Sequence, residues 1–239
     1  AARPDRRQGP PGSPVALGSM TAPLPQRVFA EALGSTLLVA TVVGSGIMAE
    51  RLAGGNAALA LLGNTLPTGA ILVVLVTLFA PTSGAHFNPA VTAVLAARGA
   101  FPASEVAAYV AAQCVGAISG TLVAHLMFGL APLAVGDHAR SGPGLWLGET
   151  VATFALVLVV LEGSRVAAHA IPWLVGLVIT AAYWFTSSTS FANPAVTLAR
   201  GLTTTFAGIA LADVPAFVAA QLAGAALASL AATALAPRR

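Results

Sequence analysis

Long apolar segments separated by short polar stretches dominate the pattern along this chain. A helix needs about 20 mainly apolar residues to cross a bilayer, and six segments reach or approach that length. They are residues 28–48, 57–80, 105–128, 145–163, 171–185 and 214–236. The fifth is the shortest and runs into a polar patch at residues 186–190. The pattern predicts an all-α membrane protein with six transmembrane helices.

Two further apolar stretches, residues 90–97 and 195–199, are too short to cross a membrane. Each begins inside a copy of the pentapeptide Asn-Pro-Ala-Val-Thr. The asparagines of the two copies, Asn88 and Asn193, are 193 − 88 = 105 residues apart. Asparagine can cap a helix, and proline suits the first helical turn. We therefore expect two half-helices with partial positive charge at their N-terminal ends. Irregular backbone at membrane depth is tolerated only where it is buried or lines water, which favours a pore.

Other features also repeat between the two halves of the chain. The sequence Val-Ala-Ala-Gln occurs at residues 110–113 and again at residues 218–221. Each half holds three predicted spans, so the second half enters the membrane inverted relative to the first. The repeats are expected to cover residues 28–128 and 145–236. Inverted repeats place a functional site near the middle of the membrane.

Composition excludes a soluble globule and gives no sign of an enzyme. The chain is 57% hydrophobic and 8% charged, against about 25% charged residues in typical soluble domains. Its single cysteine, Cys114, rules out an intrachain disulfide and implies no metal cluster. The net charge of +3 comes without clusters of basic and aromatic residues, so nucleic acid is not an expected partner. The sequence lacks a nucleophile–base pair and a phosphate-binding loop, so we expect no catalysis and no cofactor.

The placement of arginine predicts the orientation. Residues 1–27 form a tail rich in proline and arginine, which we expect to be disordered and to which we assign no function. All eleven basic residues are arginine; eight fall on the side of the termini, and three, Arg51, Arg140 and Arg200, fall opposite. Basic residues favour the cytoplasmic side. Both termini are therefore expected in the cytoplasm, and the protein in the inner (plasma) membrane.

The paired Asn-Pro-Ala motifs between spans give the chain a family resemblance. Together with residues 30–34 and 83–92, they resemble the major intrinsic protein family of aquaporins and aquaglyceroporins, over about residues 28–236. The resemblance implies an aquaporin-like fold, with six tilted helices and two reentrant half-helices in an inverted repeat around one pore. It also implies a homotetramer embedded in membrane lipid, without a cofactor.

The same resemblance implies roles for residues in and near the two motifs. Asn88 and Asn193 would donate side-chain amide hydrogens to a passing solute, and the opposed half-helix ends would repel cations. The half-helix ends would meet through the residues that follow each asparagine, namely Pro89, Ala90, Pro194 and Ala195. His86 would either border the pore or serve as a packing residue.

Glu31 and Glu149 are ionisable groups inside apolar segments, where a charge costs about 2.5–3.5 kcal/mol on insertion scales. A proton relay is one interpretation of these glutamates. The resemblance implies instead that both carboxylates brace the reentrant loops by accepting backbone hydrogen bonds. Gln113 and Gln221, one in each half, are expected as loop or helix-contact partners.

The solute class depends on four positions of the family's narrow filter, which we place by counting from the asparagines without gaps. Water-selective members carry an aromatic residue, a histidine, a small residue and an arginine there. This chain has Thr68, Ala181, Ser190 and Val196. Small neutral residues predict a wide, uncharged bore in which two hydroxyls replace a solute's lost contacts with water. Arg200, two helical turns or about 10 Å beyond Asn193, is expected no closer than the vestibule.

The filter also departs from that of a standard glycerol channel. The arginine is missing, and Thr197 stands where the glycerol facilitator pattern has an aspartate. Valine in place of arginine resembles a bacterial branch associated with arsenic-resistance loci. This resemblance implies permeation by neutral trihydroxy metalloids, arsenite or antimonite, and by methylated arsenicals, beside glycerol and water.

Three other interpretations are considered. An ordinary water or glycerol channel is the nearest alternative. An inverted-repeat secondary transporter also uses half-helices, but it needs ionisable residues near the midplane, for which the candidates are Glu31, Glu149 and Glu162. A purely structural membrane protein with a closed pore would require bulkier residues in the filter.

Overall fold

A computed structural model describes residues 22–236, and every regular element in that range is helical. The eight α-helices are α1 (Leu24–Leu52), α2 (Ala57–Ser83), α3 (Pro89–Ala97), α4 (Val106–Met127), α5 (Pro143–Val166), α6 (Ile171–Phe185), α7 (Pro194–Arg200) and α8 (Val214–Leu235). Short 3₁₀ turns precede α4, α6 and α8. Six of the helices are long and apolar enough to cross a membrane. The prediction of six spans is confirmed, and α3 and α7 are the two half-helices.

The first helix begins earlier than its predicted start at residue 28. It starts at Leu24, inside the predicted tail, because Pro25 suits the first turn. Residues 1–21, which make up most of that tail, lie outside the described residues. Arg27 then forms an ion pair with Glu105, with 2.6 Å between Nη1 and Oε2, which ties the start of α1 to the turn before α4.

The six crossings place the two ends of the described chain on one side, here called the terminal face. Contacts of Arg98 Nη1 with the carbonyl of Ser229 (3.0 Å) and with Thr233 link the end of α3 to the end of α8 on that side. The other side, here called the distal face, carries residues 128–142 and 201–210. Backbone hydrogen bonds join these two segments, among them Gly136 N to Gly201 O at 2.8 Å. The half-helix α7 ends beneath this paired layer.

Equivalent helix pairs of the two halves pack against each other at glycines. If Gly116 of α4 carried a Cβ, it would lie 2.2 Å from the carbonyl oxygen of Ala32 in α1. A Cβ on Gly224 of α8 would lie 2.2 Å from the carbonyl oxygen of Thr150 in α5. Close backbone approach at small residues is the usual way in which helices associate in membranes. The same contact in both halves shows that the duplication extends to the packing.

We expect Gly116→Val to destabilise the bundle, because the backbone of α1 cannot move away without breaking its own packing. Overfilling a packed interior costs about 1–3 kcal/mol. Thermal unfolding in detergent should therefore show a lower midpoint for Gly116→Val than for the wild type. The control is Gly144→Ala, whose added Cβ meets open space. Equal midpoints for Gly116→Val and the control would contradict the expected close packing.

Candidate functional site

Two reentrant loops, residues 84–88 and 186–193, lead into the half-helices through unusual backbone. Non-glycine residues three and one positions before each asparagine have positive φ: Ala85 (50°), Phe87 (48°), Ser190 (52°) and Ala192 (48°). Few L-residues occupy this left-handed region, and they do so where the surroundings enforce it. The same conformation occurs at equivalent positions in both loops. Each half-helix therefore needs the same backbone turn just before its first residue.

The first loop is held by Glu31, which is fully buried in α1. One carboxylate oxygen accepts hydrogen bonds from His86 N (2.9 Å) and Ser83 Oγ (2.7 Å). The other accepts from Phe87 N (2.6 Å) and from Gln113 Nε2 (2.8 Å). Four donors thus converge on one carboxylate, and the strained backbone at Phe87 is fixed by it.

The second loop is held in the same way by Glu149 of α5. Its carboxylate accepts hydrogen bonds from Phe191 N (2.8 Å), Ala192 N (2.9 Å) and Gln221 Nε2 (2.6 Å). Gln221 also donates to Thr197 Oγ1 at 2.7 Å, which links the loop brace to α7. This geometry suits a structural brace and not a proton relay, because both carboxylate oxygens are occupied by loop and helix donors.

The two asparagines connect the halves at the centre of the molecule. Asn88 Oδ1 caps α3 by accepting from Ala90 N (2.9 Å), and its Nδ2 donates to Ala192 O of the opposite loop (2.8 Å). Asn193 likewise caps α7, and its Nδ2 donates to Phe87 O (2.7 Å). A side-chain amide has two N–H donors, so each asparagine keeps one N–H without an acceptor among the described residues, at the cavity that it lines.

The residues after each asparagine form the first turns of the half-helices. Pro89 and Pro194 are the first residues of α3 and α7. Ala90 and Ala195 are completely buried where the two half-helices approach each other. Larger side chains at these two alanines would separate the helix ends.

A cavity of about 90 Å³, measured as the space open to the centres of water molecules, runs past the asparagines. Since one water needs about 10–15 Å³ by this measure, the cavity has room for several. It extends from Ser164 and Ile171 towards the terminal face, past Asn88 and Asn193, to Arg200 beneath the distal face. Leucine, isoleucine and valine side chains form most of its remaining wall. The arrangement is a narrow, mainly apolar path with polar groups at the centre and at the distal end.

Three of the four predicted filter residues line this cavity, and one does not. Thr68, Ser190 and Val196 are all buried and border the cavity. Ala181 is exposed on the outer face of α6, so its assignment to the filter is wrong. Counting without gaps ignores the length of the segment between α6 and Asn193, and an error of two residues turns a helical position by about 200°.

Tyr183, two residues further along α6, faces the cavity where Ala181 was expected. Its side chain is buried, and its hydroxyl donates to Thr68 Oγ1 at 3.4 Å. The sequence-based picture of a bore widened by alanine is therefore corrected. An aromatic residue narrows the path at this level and adds a third hydroxyl to its wall.

His86 combines the two roles considered for it. Its imidazole borders the cavity, and its Nδ1 lies 3.1 Å from Thr92 Oγ1. The ring also packs against the aromatic rings of Phe101 and Tyr109, at centroid distances of 5.0 and 5.3 Å. Packing fixes the ring, and one edge of it remains at the cavity.

Arg200 is the cavity residue that the sequence analysis placed wrongly. It is only 2% exposed and lines the cavity, and so does not lie in a vestibule. Its position four residues after Val196 puts both side chains on the same face of α7, one turn apart. The spacing of four residues between Val196 and Arg200 could have predicted that both line the cavity. Measuring the distance of Arg200 from Asn193 alone hid this relation.

We expect Tyr183→Ala to raise the permeation rate of polyols larger than glycerol, because it removes the ring that narrows the distal part of the cavity. Swelling of proteoliposomes in a gradient of a four- or five-carbon polyol measures this. The matched control is Ala181→Phe, which adds a ring on the outer face of the same helix and should leave the rates unchanged. The opposite pattern, with Ala181→Phe slowing solutes and Tyr183→Ala silent, would restore Ala181 to the filter.

Comparison with known proteins agrees with this geometry. The model of the major intrinsic protein family matches residues 19–165. Aquaglyceroporin AqpS of Rhizobium meliloti is 60% identical over 202 residues, covering 84% of this chain and 86% of that protein. A probable aquaporin, AqpM, of Archaeoglobus fulgidus is 35% identical over 182 residues, covering 67% of this chain and 73% of that protein.

A solved structure supports the fold independently. The X-ray structure of the aquaglyceroporin from Plasmodium falciparum superimposes with a TM-score of 0.67 at 21% sequence identity. The match covers 87% of this chain and 95% of that one. Six apolar spans, two capped half-helices and a central cavity, together with these matches, show that the chain belongs to the major intrinsic protein family, whose aquaglyceroporins are membrane channels and not enzymes.

Proposed function

We propose that this protein is a passive channel for small neutral solutes, wide enough for glycerol and for trihydroxy metalloids such as arsenous acid, as well as for water. One observation carries the proposal: the cavity passes the neutral residues Thr68, Ser190 and Val196 and two asparagines that each keep a free amide hydrogen. The relative named an aquaglyceroporin, 60% identical to this chain, supports the same solute class.

The wall chemistry suits an uncharged polyol. A solute entering the cavity loses hydrogen bonds to water, which is unfavourable unless the wall replaces them. Hydroxyls of Thr68, Tyr183 and Ser190 border the distal part, and Ser190 Oγ has no hydrogen-bond partner among the described residues. Val196 and the aliphatic wall face the carbon or metalloid centre of the solute. A trihydroxy molecule can bond on one side and lie against the apolar wall on the other.

Passive permeation fits the ionisable groups better than ion-coupled transport does. A coupled transporter needs a titratable group that a substrate or ion can reach near the midplane. Glu31 and Glu149 are fully buried, and their oxygens are occupied by loop donors. Glu162 bonds to Arg165 at the terminal end of α5, with 2.9 Å to Nε. These three carboxylates are thus committed to structural contacts.

Flux measurements on proteoliposomes test the channel mechanism. We expect glycerol and arsenous acid to enter at rates that rise linearly with their gradient, without saturation and without dependence on a proton or sodium gradient. Empty liposomes are the control. Saturation at low solute concentration, or uptake that requires an ion gradient, would favour a secondary transporter instead.

An ordinary water or glycerol channel is the second candidate, and Tyr183 favours it, because an aromatic residue narrows the distal cavity. The two candidates differ in their solute range. A water channel would pass water and reject both glycerol and arsenous acid, and a glycerol channel would pass glycerol and reject the metalloid. The proposed wide channel passes all three.

We further propose a homotetramer in the inner membrane with both termini in the cytoplasm. The predicted spans carry many exposed large apolar side chains, among them Leu78, Trp173 and Leu230, each more than 60% exposed in the single chain. Such surface must be covered by lipid or by neighbouring subunits. The predicted excess of arginine on the side of the termini, eight against three along the sequence, supports the orientation. Native mass spectrometry from detergent checks the subunit number.

A further inference from the structure

Arg200 occupies an unusual position for a charged side chain. It is 2% exposed at the end of α7, yet it borders the cavity on the distal side of Val196. Its Nε donates to Ala207 O, and its Cζ lies 3.3 Å from the centroid of the Phe191 ring. Its Nη1 is buried and has no hydrogen-bond partner among residues 22–236. A guanidinium with an unused donor is thus fixed against the cavity wall.

No described carboxylate forms an ion pair with this guanidinium, although the Glu149 carboxylate attracts it from a distance. The ion pairs within residues 22–236 are Arg27–Glu105 and Arg165–Glu162, and both lie elsewhere. A second guanidinium is close by: Arg140 Cζ lies 5.1 Å from the same Phe191 ring, while Arg140 Nε donates to Gly208 O at 2.8 Å. Asp213 bonds only to the backbone N of Arg140, at 2.7 Å. Two guanidinium groups, neither of them in an ion pair with a described carboxylate, therefore lie near the distal end of the cavity.

The position of this charge is specified by the loop braces. Glu149 fixes Phe191 N, and Phe191 packs edge-on against Phe217 at a centroid distance of 5.2 Å. The guanidinium of Arg200 rests on the ring so fixed. The same brace that directs the reentrant loop thus also positions the cation, so the charge is preorganised and not merely a flexible surface group.

We propose that Arg200, one helical turn beyond Val196, is the cation-excluding residue of this channel and lets it pass neutral solutes without leaking metal cations. The inference rests on the proposed function, because it concerns what else could pass the same wide path. Valine at position 196 then leaves room for a solute in the narrow part of the cavity beside Thr68 and Tyr183. The fixed charge lies one helical turn further towards the distal face, at Arg200. A permeating cation about 10 Å from the guanidinium, at an effective dielectric constant near 20, is repelled by it. This repulsion lowers the rate of cation permeation by a factor on the order of ten.

The test measures K⁺ leak and glycerol flux on the same proteoliposomes, with a K⁺-sensitive dye inside. We expect wild-type protein to pass glycerol and to be tight to K⁺. Arg200→Gln should raise the K⁺ leak by about tenfold and keep glycerol flux, whereas Arg200→Lys should stay tight. The matched control is Arg51→Gln, which removes an exposed charge from the distal end of α1 and should change neither rate.

A double variant tests whether K⁺ exclusion depends on a positive charge in this part of the cavity or on the side chain at position 200 itself. Val196→Arg combined with Arg200→Gln moves the guanidinium back by one turn and should restore K⁺ exclusion while slowing glycerol. Should Arg200→Gln fail to assemble, Arg200→His carries the same test. This variant should leak K⁺ at about pH 8, where imidazole is neutral. The leak at about pH 5.5, where imidazole can be protonated, should be no larger than the leak at about pH 8.

Failure of this inference is distinguishable from failure of the proposed function. Wild-type liposomes that pass neither glycerol nor arsenous acid would overturn the proposed function. Neutral-solute flux together with a K⁺-tight neutral variant at position 200 would overturn the role of Arg200 and leave the function standing. A wild-type protein that itself leaks K⁺ would also overturn the role of Arg200.

Discussion

Val196→Arg should reduce the flux of glycerol and arsenous acid by more than about tenfold, with a smaller loss of water flux. Val196 borders the cavity on the face of α7 that also carries Arg200, four residues further along. Arginine at this position adds bulk to the narrow level and places a second guanidinium about 6 Å along the axis from the first. A solute with a wide cross-section is excluded by the lost space before water is. Stopped-flow light scattering on proteoliposomes measures all three rates.

Val196→Met is the matched control for this change. Methionine lengthens the side chain without adding a charge or a donor, and it is flexible enough to move aside. We expect it to slow glycerol less than arginine does. An unchanged ratio of glycerol to water flux in Val196→Arg would mean that position 196 does not set the solute range, although it borders the cavity.

Glu149→Gln should destabilise the protein by about 3 kcal/mol and abolish permeation, because breaking a buried, fully bonded charge leaves donors without acceptors. The carboxylate accepts from Phe191 N, Ala192 N and Gln221 Nε2. Glutamine keeps one acceptor oxygen but turns an NH₂ group towards the remaining donors. The strained backbone at Ala192, with φ of 48°, then loses its support, and the second loop is free to close the cavity.

Thermal unfolding in detergent, followed by glycerol flux in liposomes, measures both parts of this expectation. Glu31→Gln should behave in the same way, because Glu31 accepts four hydrogen bonds from the first loop and its neighbours. Glu50→Gln is the control, since Glu50 is exposed at the distal end of α1. Wild-type midpoints for both buried variants would contradict the bracing role and return the proton-relay interpretation to consideration.

The fold followed from the sequence because its main signals are long and repeated. Six apolar segments fix the number of crossings, and the pair of Asn-Pro-Ala motifs marks where the two half-helices start. The predicted starts lie within a few residues of the observed ones. The largest difference is at α1, which begins at Leu24 and not at residue 28, because a proline in the first turn was interpreted as part of a tail.

The side of each helix that faces the cavity was harder to predict. Counting placed Thr68, Ser190 and Val196 correctly at the cavity, but it placed Ala181 there wrongly, since the count carried a two-residue error from the segment before Asn193. Tyr183 was missed for this reason, whereas Arg200 was missed because its distance was counted from Asn193 and not from Val196. Helical periodicity locates a buried face only when the register is known, and the register of α6 depends on the conformation of the loop that follows it.

The loop backbone was beyond sequence reasoning altogether. Positive φ angles are normally inferred from glycine, yet Ala85, Phe87, Ser190 and Ala192 adopt them here. They do so because Glu31 and Glu149 hold the adjacent N–H groups from other helices. A distant carboxylate therefore decides a local conformation, and no local signal reports it.

The most direct test of the account is the relative permeability of the wild-type channel to water, glycerol and arsenous acid, measured by stopped-flow light scattering on proteoliposomes at neutral pH. All three are expected to enter far faster than they enter empty liposomes, and arsenous acid should enter about as fast as glycerol. Fast water flux with neither larger solute passing would contradict this expectation, and would mean that Tyr183, facing Thr68 across the distal cavity, closes the path to everything wider than water.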